Sequence, residues 1–337
     1  AFVARWPRAA PVFLLGPVVS LLVWDRQVPA RVEPPGAASP ASEKDGRPDI
    51  VLIVLDTVRA SALRAGGGRF DTMPNVEAFG RAATTFSRVW TTGSWTLPAH
   101  ASLFTGAPVS EHRYDSGYSV ASRTPPASFL APRLRRAGYA TAASVANFGV
   151  FGREDPLLAG FDRVSAEPLR PFAYRPWFFA ALAAFPRAPW PNLVHERFPG
   201  PSRRAREIVD DAQRFWEEGR GRPRFLFVNL MEAHLPWVPD DQDLHRFGPQ
   251  GLETEGEQVE VLGRYLSGGR PSDEEAAILR ARYVESLLSL DRQVGRLLTT
   301  LRPAMGRELM IVITADHGEA LGEHDRWGHR NSVDEVE

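Results

Sequence analysis

The sequence predicts an α/β domain with a doubly wound, mostly parallel sheet that is flanked by helices. Continuous apolar runs rich in β-branched residues are typical of strands buried on both faces. Helical patterns separate the runs, around residues 127–138, 202–219 and 272–301. This alternation favours parallel strands joined by helical crossovers. The predicted strands are "DIVLIVLD" (49–56), "YATAASVAN" (139–147), "RFLFVNL" (224–230) and "ELMIVITAD" (308–316).

Polar residues follow the ends of three predicted strands. Asp56 ends the first, Asn229 and "MEAHLPW" come at the end of the third, and "ADHGE" follows the last. In doubly wound sheets, ligands bind in the crevice at the carboxyl ends of the strands. We therefore expect these polar residues to meet at one edge of the sheet.

The N-terminal residues predict an export or anchoring segment, residues 1–27. Within it, residues 11–24, "PVFLLGPVVSLLVW", are apolar without interruption. This is shorter than the roughly 20 residues of a spanning helix, so a signal-peptide core, a clipped membrane helix and a buried helix all stay open. Residues 28–48 are rich in Pro and Ala and are typical of an extended linker. A tethered apolar segment favours a protein at the periplasmic or extracytoplasmic face of a membrane.

Composition excludes some classes of function. The chain has 337 residues with 40 basic and 41 acidic side chains, so a net charge of -1 gives no reason to expect a nucleic-acid partner. The absence of cysteine excludes disulfides, thiolate metal sites and cysteine nucleophiles. The first residue is not Met and the last follows a histidine-rich cluster, so we expect a fragment with a catalytic domain, residues 49–337, that is incomplete at its C-terminus.

Residues 163–200 interrupt the alternation of strands and helices. They are rich in Pro, Phe and Trp, as in "RPFAYRPWFFAALAAFPRAPWPN". We interpret them as a long insertion that forms a hydrophobic lid or satellite core. Contact with substrate or membrane is the alternative.

The segment "DHGEALGEHDRWGH" after the last strand predicts a metal site. Asp316 and His317 supply one oxygen and one imidazole ligand, which suits Zn²⁺, Mn²⁺ or another divalent ion. The dipeptide alone would also fit a helix cap followed by a surface histidine. The density of donors over the next twelve residues favours a site. These additional donors are Glu319, Glu323, His324 and His329.

A hydroxyl-rich loop, "TTGSWTLPAHASLFTG", precedes a helical pattern and contains Thr96 and His100. Backbone N–H groups and the helix dipole favour negative charge at a helix start, and such a place suits a nucleophile that attacks an anionic ester. Asp56 offers a carboxylate from the first strand, although a simple strand-end cap would also explain it.

Nearly all of residues 49–337 resembles the sulfatase family of the alkaline-phosphatase superfamily. The four segments that carry the resemblance occur in the family's order and spacing, which makes the match specific. They are "VLIVLDTVRAS", "MPNVEAFGRAATTFSRVWTTGSWTLPAHASLFTGAPVSEH", "VNLMEAHLPW" and "VITADHGEALGEHDRWGH". The implied fold is alkaline-phosphatase-like.

The resemblance implies a divalent-metal site, with Ca, Mn, Zn or Mg as the ion. Asp56 corresponds to the family's first metal-binding carboxylate, and Asp316 with His317 to the later metal pair. Thr96 stands at the first position of the C-x-P-S-R motif, where the family carries its nucleophile, so the resemblance implies that Thr96 is both the nucleophile and a metal ligand. Thr57 replaces the usual second acidic residue, which reduces the number of carboxylate ligands.

The resemblance also implies residues that contact the transferred group. His234 matches the histidine of the H-x-P-[YW] segment, and His329 lies where many relatives have a substrate-binding lysine. His329 could therefore hold the anion or protonate the leaving oxygen. His100 replaces the motif arginine, a change that weakens anion clamping.

Threonine at position 96 changes the expected chemistry. Typical relatives convert the motif Cys or Ser into formylglycine, and we do not expect that conversion at Thr96. Ser94 is no substitute, because the residue two positions after it is Thr96 instead of proline. Sulfated formylglycine hydrate can expel sulfate and regenerate its aldehyde, whereas phosphothreonine can be attacked at phosphorus by water or an alcohol. Lipoteichoic acid synthases and phosphoethanolamine transferases are similar in pairing Thr with an Asp-His metal site.

The sequence thus predicts a sulfatase-like, metal-dependent hydrolase of sulfuric or phosphoric esters. The partner is an anionic ester substrate, which could be a glycan, a lipid or a small molecule. A phosphodiesterase or a phosphoethanolamine- or glycerophosphate-type transferase is the first alternative. A non-catalytic relative that binds an anion or glycan in the same crevice is the second.

Overall fold

The computed structural model describes residues 46–115, 128–147, 150–151, 156–166, 203–218, 221–303 and 306–329. The predicted segment 1–27, nearly all of the linker 28–48 and most of the insertion 163–200 lie outside these residues. Within the described ranges, no helix combines the length and the apolar character needed to cross a membrane.

A five-stranded parallel sheet forms the centre of the molecule, in the order β3-β2-β4-β1-β5. The predicted doubly wound α/β fold is confirmed, and all four predicted strands are present. β3 was not predicted, because a strand of three residues carries too short an apolar pattern. The strands are β1 Asp49–Leu55, β2 Ala140–Val145, β3 Arg163–Ser165, β4 Arg224–Leu230 and β5 Leu309–Ala315.

Helices cover both faces of this sheet. In β1, Val51 and Ile53 pack into one core with the helices Ala205–Glu218 and Asp273–Thr300, while Leu52 and Val54 pack into a second core with the helices Thr96–Thr105 and Leu130–Arg136. Alternate residues of a strand point to opposite faces, so one buried strand serves both cores. The helices are α1 Pro74–Arg81, α2 Thr96–Thr105, α3 Val109–His112, α4 Leu130–Arg136, α5 Ala205–Glu218, α6 Glu255–Leu266 and α7 Asp273–Thr300.

The longest helix, α7, begins at a capping box. The Ser272 side chain accepts from the Glu275 N–H, and the Glu275 carboxylate accepts from the Ser272 N–H. Both hydrogen bonds satisfy backbone N–H groups that have no partner within the helix at its first turn. The long amphipathic pattern and its cap made this helix readable from the sequence.

The expectation that the last strand is buried on both faces is wrong. Within the described residues β5 pairs with β1 alone, and the side chains of Met310 and Val312 are 50% and 41% exposed. An apolar run has the same composition whether one or both faces of its strand are covered by the described residues, so its pattern did not reveal this exposed face.

A small antiparallel hairpin follows β5 and turns the chain back toward the sheet. Its strands are β6, Ala320–Leu321, and β7, Trp327–Gly328. Gly322 has a φ of 102°, and a Cβ there would lie 2.6 Å from Arg280 Nη2. A larger residue would therefore be strained and crowded, and the turn that returns His329 to the crevice depends on this glycine.

Candidate active site

Two neighbouring strands deliver a cluster of three potential metal ligands. Asp56 follows β1, and Asp316 and His317 follow β5, whose last residue pairs in register with Leu55. His317 Nε2 lies 3.8 Å from Asp56 Oδ1 and 3.4 Å from Asp316 Oδ2. One ligand atom from each residue lies within 4.8 Å of the other two, and all three residues are buried. The parallel register therefore assembles the ligands that the sequence predicted.

The hydrogen bonds of the two carboxylates fit a divalent cation. Asp56 Oδ2 accepts from Asn147 Nδ2 at 3.3 Å. Asp316 Oδ1 accepts from the N–H groups of Thr57 at 3.3 Å and His317 at 2.9 Å. The opposite oxygens, Asp56 Oδ1 and Asp316 Oδ2, have no hydrogen-bond partner among the described residues. Each carboxylate is thus held by one oxygen and presents the other.

His317 is arranged in the same way. Its Nδ1 donates to the Gly318 carbonyl at 2.9 Å, which leaves Nε2 as a buried acceptor without a hydrogen-bond partner in the described ranges. Buried polar atoms without partners are costly, and a histidine held through one nitrogen is typical of metal ligation through the other. Asp56, Asp316 and His317 would hold the divalent ion that the family resemblance implies.

The ionisable groups of the cluster perturb one another strongly. Burial alone would raise the pKa of Asp56, but the nearby histidines, His234 and His317 first, lower it below its usual value. Burial and the neighbouring Asp56 charge raise the pKa of Asp316. Burial would lower the pKa of His317, yet the two carboxylates raise it. Two buried carboxylates side by side repel, and a bound cation would relieve that repulsion.

Thr96 lies beside these carboxylates as the first residue of α2. The extended backbone of Trp95, with φ -163°, turns the chain into the helix at this point. Thr96 is buried, and its Oγ1 accepts from Asn147 Nδ2 at 3.4 Å. The hydroxyl therefore sits at a helix N-terminus next to the candidate metal ligands, a setting that favours a developing negative charge.

Asn147 is a site residue that the sequence reasoning missed. Its amide Nδ2 contacts both Asp56 and Thr96, and its Oδ1 accepts from the Val150 N–H at 3.2 Å. The Asn147 N–H in turn donates to Asn229 Oδ1 at 3.2 Å. Asn147 stands two residues beyond β2, close to a strand end like Asp56, and that position was the available signal.

His100 is fully buried behind Thr96. Its Nδ1 lies 2.9 Å from the Thr96 carbonyl oxygen and 3.4 Å from Asp316 Oδ2. The ring packs edge-on against Phe151, with 4.8 Å between ring centroids. These contacts join the start of α2 to the carboxylate after β5.

His234 and His329 complete the crevice. The ring centroid of His329 lies 4.9 Å from that of His234 and 4.6 Å from that of His317. His234 Nδ1 donates to the Leu235 carbonyl at 2.6 Å, and His329 Nδ1 donates to Glu319 Oε1 at 2.8 Å. The rings of His234, His317 and His329 are thus each held by a hydrogen bond from Nδ1.

The rest of the histidine-rich segment supports the crevice from outside. His324 is exposed on the turn between β6 and β7. Glu323 accepts from Arg59 at 2.7 Å, and Arg59 also donates to the Glu319 carbonyl oxygen. These contacts fasten the β6–β7 hairpin to the loop after β1.

A comparison with protein families shows the family to which this chain belongs. The sulfatase family model matches residues 48–335. The chain belongs to the sulfatase family. Its metal cluster and Thr96 lie within the matched range, and so do all the histidines described above.

Two curated proteins illustrate how this sulfatase-family chain relates to others. It is 26% identical to choline-sulfatase of Rhizobium meliloti over 314 residues, which cover 85% of this chain and 60% of the relative. It is 26% identical over 345 residues to the multifunctional alkaline phosphatase superfamily protein PehA of Trinickia caryophylli, covering 84% and 65%. The chain therefore spans less than two thirds of either relative.

Solved structures share the fold at low sequence identity. The C-terminal periplasmic domain of EcEptC from Escherichia coli, in complex with Zn, superposes with a TM-score of 0.57 at 16% identity. The match covers 88% of this sulfatase-family chain and 72% of that domain. This similarity confirms the alkaline-phosphatase-like architecture.

Proposed function

We propose that this sulfatase-family chain is a metal-dependent phosphoric-ester hydrolase or transferase with Thr96 as its nucleophile. The proposal rests on three buried potential ligand atoms, on Asp56, Asp316 and His317, that have no hydrogen-bond partner among the described residues. They lie beside a buried threonine hydroxyl at a helix N-terminus. A divalent ion held there would lower the pKa of the hydroxyl and neutralise a nonbridging oxygen of the ester.

The reaction would proceed through a covalent phosphothreonine. Thr96 Oγ1 would form a bond to phosphorus while the ester P–O bond breaks, and the proton lost by the hydroxyl would be taken up by the leaving oxygen. Water or an alcohol would then attack the same phosphorus while the Oγ1–P bond breaks, and the proton of the attacking hydroxyl would return to Thr96. Asn147 holds the hydroxyl beside Asp56 throughout, since its amide contacts both side chains.

Threonine favours phosphorus over sulfur as the transferred atom. A sulfated formylglycine hydrate can expel sulfate by regenerating an aldehyde, and a sulfated threonine has no such exit. Phosphothreonine is open to attack at phosphorus when a metal and a positioned base assist. The Campylobacter jejuni protein whose periplasmic domain shares the fold is by its name a phosphoethanolamine transferase, which is in line with this preference.

His234 and His329 are proposed to contact the transferred group. Both rings donate through Nδ1, so Nε2 is the nitrogen left for an oxygen of the ester. His100 contacts the Thr96 carbonyl and Asp316 and would keep the nucleophile helix against the metal ligands.

An extracytoplasmic location is part of the proposal. The apolar residues 11–24 predict an export or anchoring segment. Periplasmic domains of phosphoethanolamine transferases share the fold, which supports this location. An anionic lipid or glycan ester at the membrane surface would then be within reach.

A substrate panel tests the proposed chemistry. We expect turnover of 4-nitrophenyl phosphate or bis(4-nitrophenyl) phosphate, and not of 4-nitrophenyl sulfate, when Mn²⁺, Zn²⁺, Mg²⁺ or Ca²⁺ is added in turn. Thr96→Ala should lower kcat by about 10³-fold or more, because the covalent step is lost. Ser94→Ala is the matched control and should keep activity. Sulfate turnover without phosphoester turnover, or full activity of Thr96→Ala, would overturn the proposal.

A further inference from the structure

Glu319 is a buried carboxylate that the mechanism above does not use. It follows His317 by two residues, at the start of the β6–β7 hairpin, and is fully buried. Within the described ranges its ion-pair partner is His329, and no arginine or lysine side chain pairs with its carboxylate. Burying an ionised carboxylate without a permanently charged partner costs free energy, and the Glu319 carboxylate is buried next to the crevice.

The two oxygens of Glu319 reach two different loops. Oε1 accepts from His329 Nδ1 at 2.8 Å, after β7. Oε2 accepts from the Leu235 N–H at 3.4 Å, in the loop after β4. Leu235 directly follows His234, and its carbonyl accepts the proton of the His234 ring at 2.6 Å. One carboxylate thus fastens His329 directly and the His234 loop through its backbone.

This arrangement fixes which nitrogen of His329 faces the reaction. An ionised carboxylate only accepts hydrogen bonds, so the proton must lie on Nδ1 of His329. Nε2 is then the one ring nitrogen available to the ester. With the opposite tautomer, Nδ1 and the carboxylate would repel each other, and His329 would be free to rotate away.

We propose that Glu319 is a positioning residue that holds His329 in its Nδ1-protonated form and sets the spacing between the His329 and His234 rings. The inference rests on the proposed function, in which these two rings contact the transferred group. It assigns to Glu319 no contact with the substrate. In this role Glu319 holds the loop of His329 and the loop of His234 at a fixed distance from each other.

The first test needs no variant of Glu319 and no turnover. In ¹⁵N-histidine-labelled protein at pH 8.5, the ring nitrogens of His329 are assigned by comparison with His329→Asn, and their long-range couplings report where the proton lies. We expect a protonated Nδ1. A bare Nδ1 with the proton on Nε2 would overturn the inference, even if the protein turns over phosphoesters as proposed.

The second test measures binding of inorganic phosphate by calorimetry in the presence of Zn²⁺. Glu319→Gln keeps the shape of the side chain but places an amide donor against either His329 or the Leu235 N–H. We expect the Kd for phosphate to rise about tenfold, and the kcat/KM for bis(4-nitrophenyl) phosphate to fall by at least as much. Glu323→Gln is the matched control. Glu323 lies on the same hairpin as Glu319, but its carboxylate pairs with Arg59 of the loop after β1 and contacts no histidine of the crevice.

The two outcomes separate the inference from the proposed function. A phosphate Kd within twofold of wild type in Glu319→Gln, or equal losses in Glu319→Gln and Glu323→Gln, would contradict the positioning role. A protein with the expected tautomer and phosphate affinities but no phosphoester turnover would retain the role of Glu319 and refute the proposed reaction.

Discussion

His112 shows how a single buried histidine can make this fold sensitive to acid. It ends α3, its Nδ1 accepts from the Tyr114 N–H at 3.0 Å, and its Nε2 lies 2.8 Å from Ser102 Oγ. Because Nδ1 accepts, the ring must be neutral in the folded state. Burial lowers the pKa of His112, and Asp115 opposes that shift without cancelling it.

We expect acid to destabilise the wild-type protein through His112. The folded pKa lies below the unfolded value of about 6.5, so the unfolded state binds the extra proton first as pH falls. The contribution is unchanged above about pH 6.5 and is lost progressively below it. Urea denaturation between pH 7.5 and 5 should show a smaller loss of unfolding free energy in His112→Asn than in wild type. Parallel pH profiles for the two proteins would contradict this account.

Single residues of the site were predictable where the chain marks them by position. Asp56, Asp316 and His317 come directly after apolar strands, and parallel pairing brings such ends together. Asn147 was not recognised, because a polar residue after a strand is also common in turns. The contacts of Glu319 were invisible for another reason: Leu235 is 84 residues away in the chain.

The Tyr283 hydroxyl of helix α7 stabilises the loop that follows β1. Tyr283 OH donates to the Thr57 carbonyl at 3.1 Å and accepts from the Arg59 N–H at 3.0 Å. Thr57 has a φ of 61°, an uncommon value for a β-branched residue, and its N–H donates to Asp316. Burial raises the pKa of Tyr283, which keeps the hydroxyl protonated as a donor.

Tyr283→Phe should therefore loosen the loop after β1. Removing the hydroxyl leaves two backbone groups without a partner, which we expect to cost about 1–3 kcal/mol of unfolding free energy. Tyr265→Phe is the control, because the Tyr265 hydroxyl donates to an exposed carbonyl, that of Asp325. It should cost less than about 1 kcal/mol in the same urea titration. Equal effects of the two changes would contradict the clamping role of Tyr283.

Helices and strands were predictable where their apolar pattern is clear. β1 and β4 were located to within a residue, and α7 was located by its pattern and cap. α6 was missed although it also begins at a capping box, formed by Thr254 and Glu257, because its apolar residues are few. The strands of the β6–β7 hairpin have two residues each, too few for any periodic signal.

The candidate metal site joins the ends of two neighbouring strands of the sheet. Asp56 follows β1, which lies between β4 and β5, and the other two candidate ligands follow β5. A ligand that binds only the folded state adds RT ln(1 + [L]/Kd) to stability, about 2.7 kcal/mol at one hundred times Kd. The ion would thus stabilise the whole fold as well as serve the reaction.

Metal removal should consequently lower the melting temperature. We expect a chelator to reduce Tm of the wild-type protein by several degrees, and Zn²⁺ or Mn²⁺ to restore it. Asp316→Asn should bind the ion weakly and show little difference between the two conditions. A wild-type Tm that does not respond to chelator or added ion would argue against a metal at these three residues.

In the proposed reaction Thr96 becomes covalently phosphorylated during turnover. The direct test is to mix the protein with bis(4-nitrophenyl) phosphate and metal, quench with acid within the first turnovers, and map the phosphorylated peptide by mass spectrometry. We expect a 4-nitrophenyl phosphoryl group on Thr96, absent from Thr96→Ala and present in Ser94→Ala. Turnover with the adduct on another residue, or sustained turnover by Thr96→Ala, would contradict it.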